Sequence, residues 1–133
     1  MKNNLNIYLK YYLTTLLVFG IFYLYQKHDV GNDSTISEWF INYTGGFTKR
    51  GISGQLSIYF ANYFNLGLRD SILILQIFTL IIYFISLYYF LRNLKTNKII
   101  ILAVFSPIFI LYPIAEIEVL VRKETLIFCI YLF

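Results

Sequence analysis

Apolar residues in this chain are gathered into long runs separated by short charged stretches, the pattern of membrane-spanning helices. A span needs about 20 mostly apolar residues to cross a hydrocarbon layer of roughly 30 Å. The first run extends from about Ile7 to Tyr25, with Lys10 near enough to its start for the side chain to reach back to the headgroups. It is highly aromatic and lacks a small-residue cleavage site, so it reads as a retained anchor rather than a signal peptide. The second, Ser71 to Leu91, holds no charge; its polar interruptions are Ser71, Gln76, Thr79 and Ser86, and Arg69, Asp70 and Arg92 bound it. The third, Ile99 to about Ala115, contains Pro107 and Pro113, each of which removes a backbone donor and favours a kink, so this span is expected to be short and bent.

Beyond it lies a charged stretch, Glu116 to Glu124, and then Thr125 to Phe133, almost wholly apolar. Those last residues, at about 1.5 Å each, cover less than half a bilayer. The pattern therefore predicts an all-α membrane protein with three transmembrane helices (about 7–25, 71–91 and 99–115) plus a truncated fourth (125–133), in a single polytopic domain. The simplest expectation is an N-terminal fragment of a longer protein, its remainder completing the fourth span. The alternative is a complete small protein whose end tucks under a membrane partner or re-enters the bilayer.

The loop from 27 to 70 is itself patterned. Thr35-Ile-Ser-Glu38 fits a capping box, with Thr35 accepting from the backbone three residues on and Glu38 reaching back. A short helix over Ile36 to Tyr43 is expected to follow, with Ile36, Trp39, Phe40 and Tyr43 on one face and a stop at Gly45-Gly46. From Ile52 to Asn65, Ile52, Leu56, Tyr59, Phe60, Tyr63 and Phe64 recur at helical spacing against Ser53, Ser57, Asn62 and Asn65. Both stretches read as interfacial amphipathic helices, apolar side toward lipid and rings at headgroup depth.

Composition sharpens this picture. Of the 133 residues 59% are hydrophobic and only 14% charged, against roughly 25% charged in ordinary soluble domains, and the mean hydropathy is +0.66. A soluble domain of this size cannot bury thirteen Phe and thirteen Tyr. The one cysteine, Cys129, lies in an apolar run, which excludes a disulfide framework and a cysteine-rich metal site. The net charge of +4 does not point to nucleic acid, because the cations lie between apolar runs and not on one polar face. They report topology instead. With the N-terminus inside, the inner pieces carry Lys2, Lys10, Arg92, Lys95 and Lys98 and no acid, while the outer pieces carry six basic residues and all seven acids. The positive-inside rule then places the N-terminus in the cytoplasm and the long first loop outside.

The stretch Gly45-Gly46-Phe47-Thr48-Lys49-Arg50-Gly51-Ile52-Ser53-Gly54 carries the strongest chemical signal. Its glycines allow tight turns and close backbone approach, and Lys49 and Arg50 stand beside free helix-terminal amides, a set that suits a phosphate or pyrophosphate. The plainer reading is a turn between two interfacial helices whose cations hold anionic lipid headgroups. No nucleotide-loop spacing is present. A second group, Arg122, Lys123 and Glu124 with Glu116 and Glu118, is either a site at membrane depth or an outer turn, and charge density favours the turn. If that turn packs on the first outer loop, both basic pairs converge on one cleft. Asp29, Asp33 and Glu38 are candidates for a general base or metal ligand beside it, Glu38 already having a capping role. His28, at the membrane exit, reads as an interfacial residue, and no nucleophilic triad can be built from one His and one Cys.

With these residues in view, a resemblance emerges. A first span, a loop with Asn42-Tyr-Thr-Gly-Gly-Phe47-Thr-Lys-Arg-Gly51, two further spans, and Arg122-Lys-Glu124 before another apolar run together resemble the N-terminal part of polytopic bacterial inner-membrane proteins linked to surface-polysaccharide synthesis. The architecture is also similar to that of the C-type membrane glycosyltransferases, whose large first outer loop carries catalytic acids and whose donors are polyprenyl-phosphate sugars. The resemblance implies a glycosyltransferase or polysaccharide polymerase, with Lys49, Arg50, Arg122 and Lys123 on the lipid phosphate and Asp29 or Asp33 on the acceptor hydroxyl. The paired acids usual in that superfamily are absent here, Asp29 and Asp33 being separated along the chain. A transporter or flippase component for a lipid-linked anion is the alternative expectation, and a small structural membrane subunit a third.

Overall fold

The computed structural model describes residues 2–30, 34–47, 51–93, 102–104, 106, 120–122 and 124–132. Helices α1 (Lys2–Asp29), α2 (Ser34–Phe40), α3 (Ile52–Phe64), α4 (Leu68–Asn93) and α5 (Glu124–Leu132) follow one another, and no strand occurs among the described residues. Two helical stretches, Asn6–Asp29 and Leu68–Asn93, are long and apolar enough to cross a membrane. They contain the expected first and second spans. The expected third span lies mostly outside the described residues, of which 102–104 are helical, and α5 covers the apolar stretch expected as the fourth.

Among the described helices, α4 is the hub of the fold and packs against each of α1, α2, α3 and α5. Of the most apolar stretch of each long helix, 50% is buried in α4 but only 17% in α1. Both present large apolar side chains outward, among them Tyr8, Val18, Phe19 and Phe22 on α1 and Ile74, Phe78 and Phe90 on α4. Exposed apolar surface of that extent marks a face built for a partner or a membrane.

Helices α1 and α4 run antiparallel. His28 meets Asp70 at one end, Gly20 faces Leu80 midway, and Leu13 and Leu17 share a groove with Phe84 and Tyr88 toward the other end. Their common core contains Leu13, Leu24, Ile72, Leu80, Phe84 and Leu87, all nearly inaccessible. Helix α5 joins through Cys129, whose thiol approaches the Thr79 carbonyl.

Helix α3 is tied to α4 by a link of three residues. Asn65 takes the left-handed conformation (φ 52°), and the Leu66 N–H reaches back to the Ala61 carbonyl, so the last turn is closed by its own chain. The Gly67 carbonyl accepts from Ser71 N–H and opens α4 at once. The small face of α3, Ser53, Gly54, Ser57 and Ala61, is buried, and the Ser71 hydroxyl donates to the Ser57 carbonyl. Ile52, Leu56, Tyr59, Tyr63 and Phe64 all face outward, Tyr63 with 81% of its surface exposed. Small residues let two helix backbones approach closely, which is how helices pair where lipid is the solvent.

Helix α2 differs from expectation at both ends. It begins at Ser34 and not after Thr35, so Thr35 lies inside the helix. It ends at Phe40, short of Tyr43, because Asn42 takes over the local backbone groups: its amide donates to the Phe40 carbonyl and its carbonyl accepts from Thr44 N–H. Such a side-chain turn competes directly with helix continuation. The glycines expected to stop the helix instead serve the turn that follows, where Gly46 holds φ at 119° and donates to the Tyr43 carbonyl.

Candidate functional site

The end of α1, helix α2, the start of α3, the start of α4 and the turn at 120–122 meet at one end of the bundle, here termed the loop end. Three long-range contacts assemble it. The His28 imidazole Nε2 lies 3.0 Å from Asp70 Oδ1, the Arg69 guanidinium donates to the Val30 carbonyl at 2.8 Å, and the Trp39 indole Nε1 donates to the Val121 carbonyl at 3.1 Å. The first two lock the end of α1 to the start of α4. The third joins the first loop to the turn that bears Arg122, across 82 residues of chain.

Trp39 is the anchor of this junction. It is 2% exposed and packs in the same buried cluster as Ile36, Leu120 and Val121. A buried indole N–H requires an acceptor, and here it finds the carbonyl of a residue that is itself fully enclosed. Gly54 completes the assembly. A Cβ added there would come within 2.6 Å of the Ile41 carbonyl carbon and 2.9 Å of the Trp39 carbonyl oxygen, so the chain leaving α2 lies directly against the first turn of α3. Gly54 therefore belongs to a helix packed on protein backbone, a correction to its place in a turn that approaches a ligand.

The expected site residues fall unevenly on this frame. Asp29 is exposed at the end of α1. Arg122 follows Val121 and is half-buried, adjacent in the chain to the carbonyl that Trp39 holds. Asp33, Lys49, Arg50 and Lys123 lie outside the described residues. The residues that border the first basic pair are described: Phe47 is 89% exposed on one side, while Gly51 is buried on the other. Phe47 stacks on Tyr43 with ring planes 10° apart.

Among the described residues, four polar side-chain atoms at the loop end are buried without a hydrogen-bond partner: His28 Nδ1, Arg69 Nε, Glu38 Oε2 and Ser53 Oγ. Unsatisfied polar atoms of this kind are uncommon in folded proteins and point to a water, ion or ligand that completes them. Among the described acids of the first loop, Glu38 is thus the one whose carboxylate turns inward, and it adjoins Trp39 in the chain. Arg69 and His28 add a cation and an imidazole at the same end of the bundle, on the start of α4 and the end of α1. Among the described residues no group of three or more His, Cys, Asp or Glu side chains is arranged to hold a metal ion.

Sequence reasoning passed over two of these features. The His28–Asp70 pair spans 42 residues and carries no local motif. The need of Trp39 for an acceptor is implicit in its place on the apolar face of a short helix, but nothing along the chain nominates Val121. The chain matches no family model, and comparison with curated proteins and with solved structures returns no match.

Proposed function

We propose that this chain is a multi-pass protein of a bacterial inner membrane, with its N-terminus in the cytoplasm. In this reading its loop end, outside the cell membrane, receives a polyprenyl-phosphate-linked sugar for glycosyl transfer or glycan polymerisation. The observation that carries the reading is the hydrogen bond from Trp39 to Val121, because it joins an acidic helix to a basic turn. Glu38 and Arg122 each stand one residue from that bond.

The outward ring face of α3, beside the start of α4, suits the headgroup region of a membrane, where Tyr and Trp concentrate. A lipid-linked substrate would then approach sideways along α3, with its phosphate level with the loop end.

In the reaction, the acceptor hydroxyl attacks the sugar C1, the bond from C1 to the phosphate oxygen breaks, and the acceptor proton passes to a carboxylate. Lys49, Arg50, Arg122 and Lys123 neutralise the phosphate as it leaves, a mainly electrostatic contribution. Glu38 is the favoured proton acceptor because its carboxylate is held inward, with Asp29 and Asp33 as the other acids of the same loop.

The test is glycan assembly by the full-length protein in its host membrane. Lys49→Ala, Arg50→Ala and Glu38→Gln are each expected to lower it by about 10²-fold, the usual scale for one preorganised electrostatic group, with membrane insertion unchanged. Normal glycan from all three variants would overturn the reading. A transporter component is the second reading, favoured by Gln76, which is 1% exposed in α4 with Nε2 lacking a partner. In that case the same substitutions stop movement of the lipid-linked substrate and leave transfer of its sugar intact.

A further inference from the structure

Opposite the loop end, α1 and α4 leave an open groove of about 290 Å³ lined by Lys10, Leu13, Thr14, Leu17, Phe84, Ile85, Tyr88 and Tyr89. We infer that this groove holds one acyl chain of an anionic phospholipid, with the lipid phosphate on the Lys10 ammonium. The inference rests on the reading of α1 and α4 as membrane spans.

Size and lining favour a chain segment over a polar ligand. Ligand pockets run roughly 300–1,000 Å³, so this groove, at their lower limit, takes part of a long flexible molecule. Leu13 and Phe84 form its buried floor, while Ile85 and Tyr89, 49% and 59% exposed, form an open wall. Thr14 spends its hydroxyl on the Lys10 carbonyl within α1, so it adds no free donor to the lining. Lys10 is the single charged residue of the groove.

The position of that charge selects the lipid. Lys10 lies four residues into the apolar stretch that begins at Asn6, roughly 6 Å along the helix. From that depth an extended lysine reaches the phosphate level with its stem in hydrocarbon. Leu13, about one turn on from Lys10, is buried in the groove floor, so a headgroup at Lys10 continues into an acyl chain beside Leu17 and Phe84. Among the described residues no acid pairs with Lys10, and the nearest charged end of α4 bears Arg92. A basic pocket between helices on the cytoplasmic side is the arrangement that recognises anionic headgroups.

The test uses the full chain purified in detergent and read by native mass spectrometry with phosphatidylglycerol and phosphatidylcholine of matched acyl chains. One phosphatidylglycerol is expected to be retained about fivefold over phosphatidylcholine, the scale of one basic contact near a membrane surface. Lys10→Gln should remove the preference, and Thr14→Phe, which fills the groove, should lower retention of both lipids. Undiminished preference in Lys10→Gln, or unchanged retention in Thr14→Phe, would overturn the assignment. Flotation of the same chain with phosphatidylcholine vesicles tests the membrane reading separately. A chain that floats without discriminating between the lipids discards the groove alone, and a chain that does not float discards both.

Discussion

Gly54 and Gly20 both sit in helices, yet substitution should separate them. Replacing an interior helical Gly with Ala favours the helix by about 1 kcal/mol, so the sign of each change depends on what the new methyl meets. At Gly54 it meets the backbone of Trp39 and Ile41, which has no rotamer to adopt. At Gly20 it meets Leu80 Cδ2 at 2.9 Å, the far end of a side chain that can turn away. Gly54→Ala should therefore lower stability by about 1–3 kcal/mol, the usual cost of overpacking, while Gly20→Ala should be within about 1 kcal/mol of neutral. Thermal unfolding in detergent checks both, and equal losses would show that the contact of α2 with α3 is not the rigid one. The chain offered no means of ranking these glycines. The run Gly45 to Gly54 looks like one flexible loop, but Gly46 is needed for its positive φ and Gly54 for the absence of a side chain.

At the scale of elements, α3 illustrates how amphipathicity inverts when lipid is the expected solvent. Its periodicity was legible, and the helix runs from Ile52 to Phe64 almost as the spacing requires. Its apolar face points outward while Ser53, Ser57 and Ala61 pack inward, the reverse of a helix on a water-soluble core. Two substitutions test this. Ser57→Leu places a large side chain at a position with 0% exposure, where the backbone carbonyl already accepts from Ser71. It should cost about 1–3 kcal/mol and loosen α3 from α4. Leu56→Ser, on the 56% exposed face, should leave the unfolding midpoint almost unchanged and weaken retention of the chain by vesicles. Limited proteolysis near Asn65 and vesicle flotation separate the two effects. Helix α2 was less legible because Asn42 competes with the helix through its own side chain, a contest that periodicity does not register.

For the whole molecule, topology is the property on which the functional reading depends. Cys129 is 7% exposed, so the native chain supplies its own unreactive background. Phe47→Cys, at a position 89% exposed in the loop, is expected to react with an impermeant maleimide added to intact cells. Asn93→Cys, at the far end of α4, is expected to react only after permeabilisation. The opposite pattern would reverse the orientation and remove the outer-face site with it. The two long helices were readable from composition and run length, because crossing hydrocarbon imposes a length and an apolarity on each segment independently of its neighbours. The same local physics marked the amphipathic character of α3 and the distribution of basic residues. Tertiary structure alone decided that α4 is the hub, that Trp39 closes on Val121 and that His28 meets Asp70. Each of these joins residues far apart in the chain, and their energies arise from packing and hydrogen bonds that exist only once the helices have docked, so no single segment encodes them.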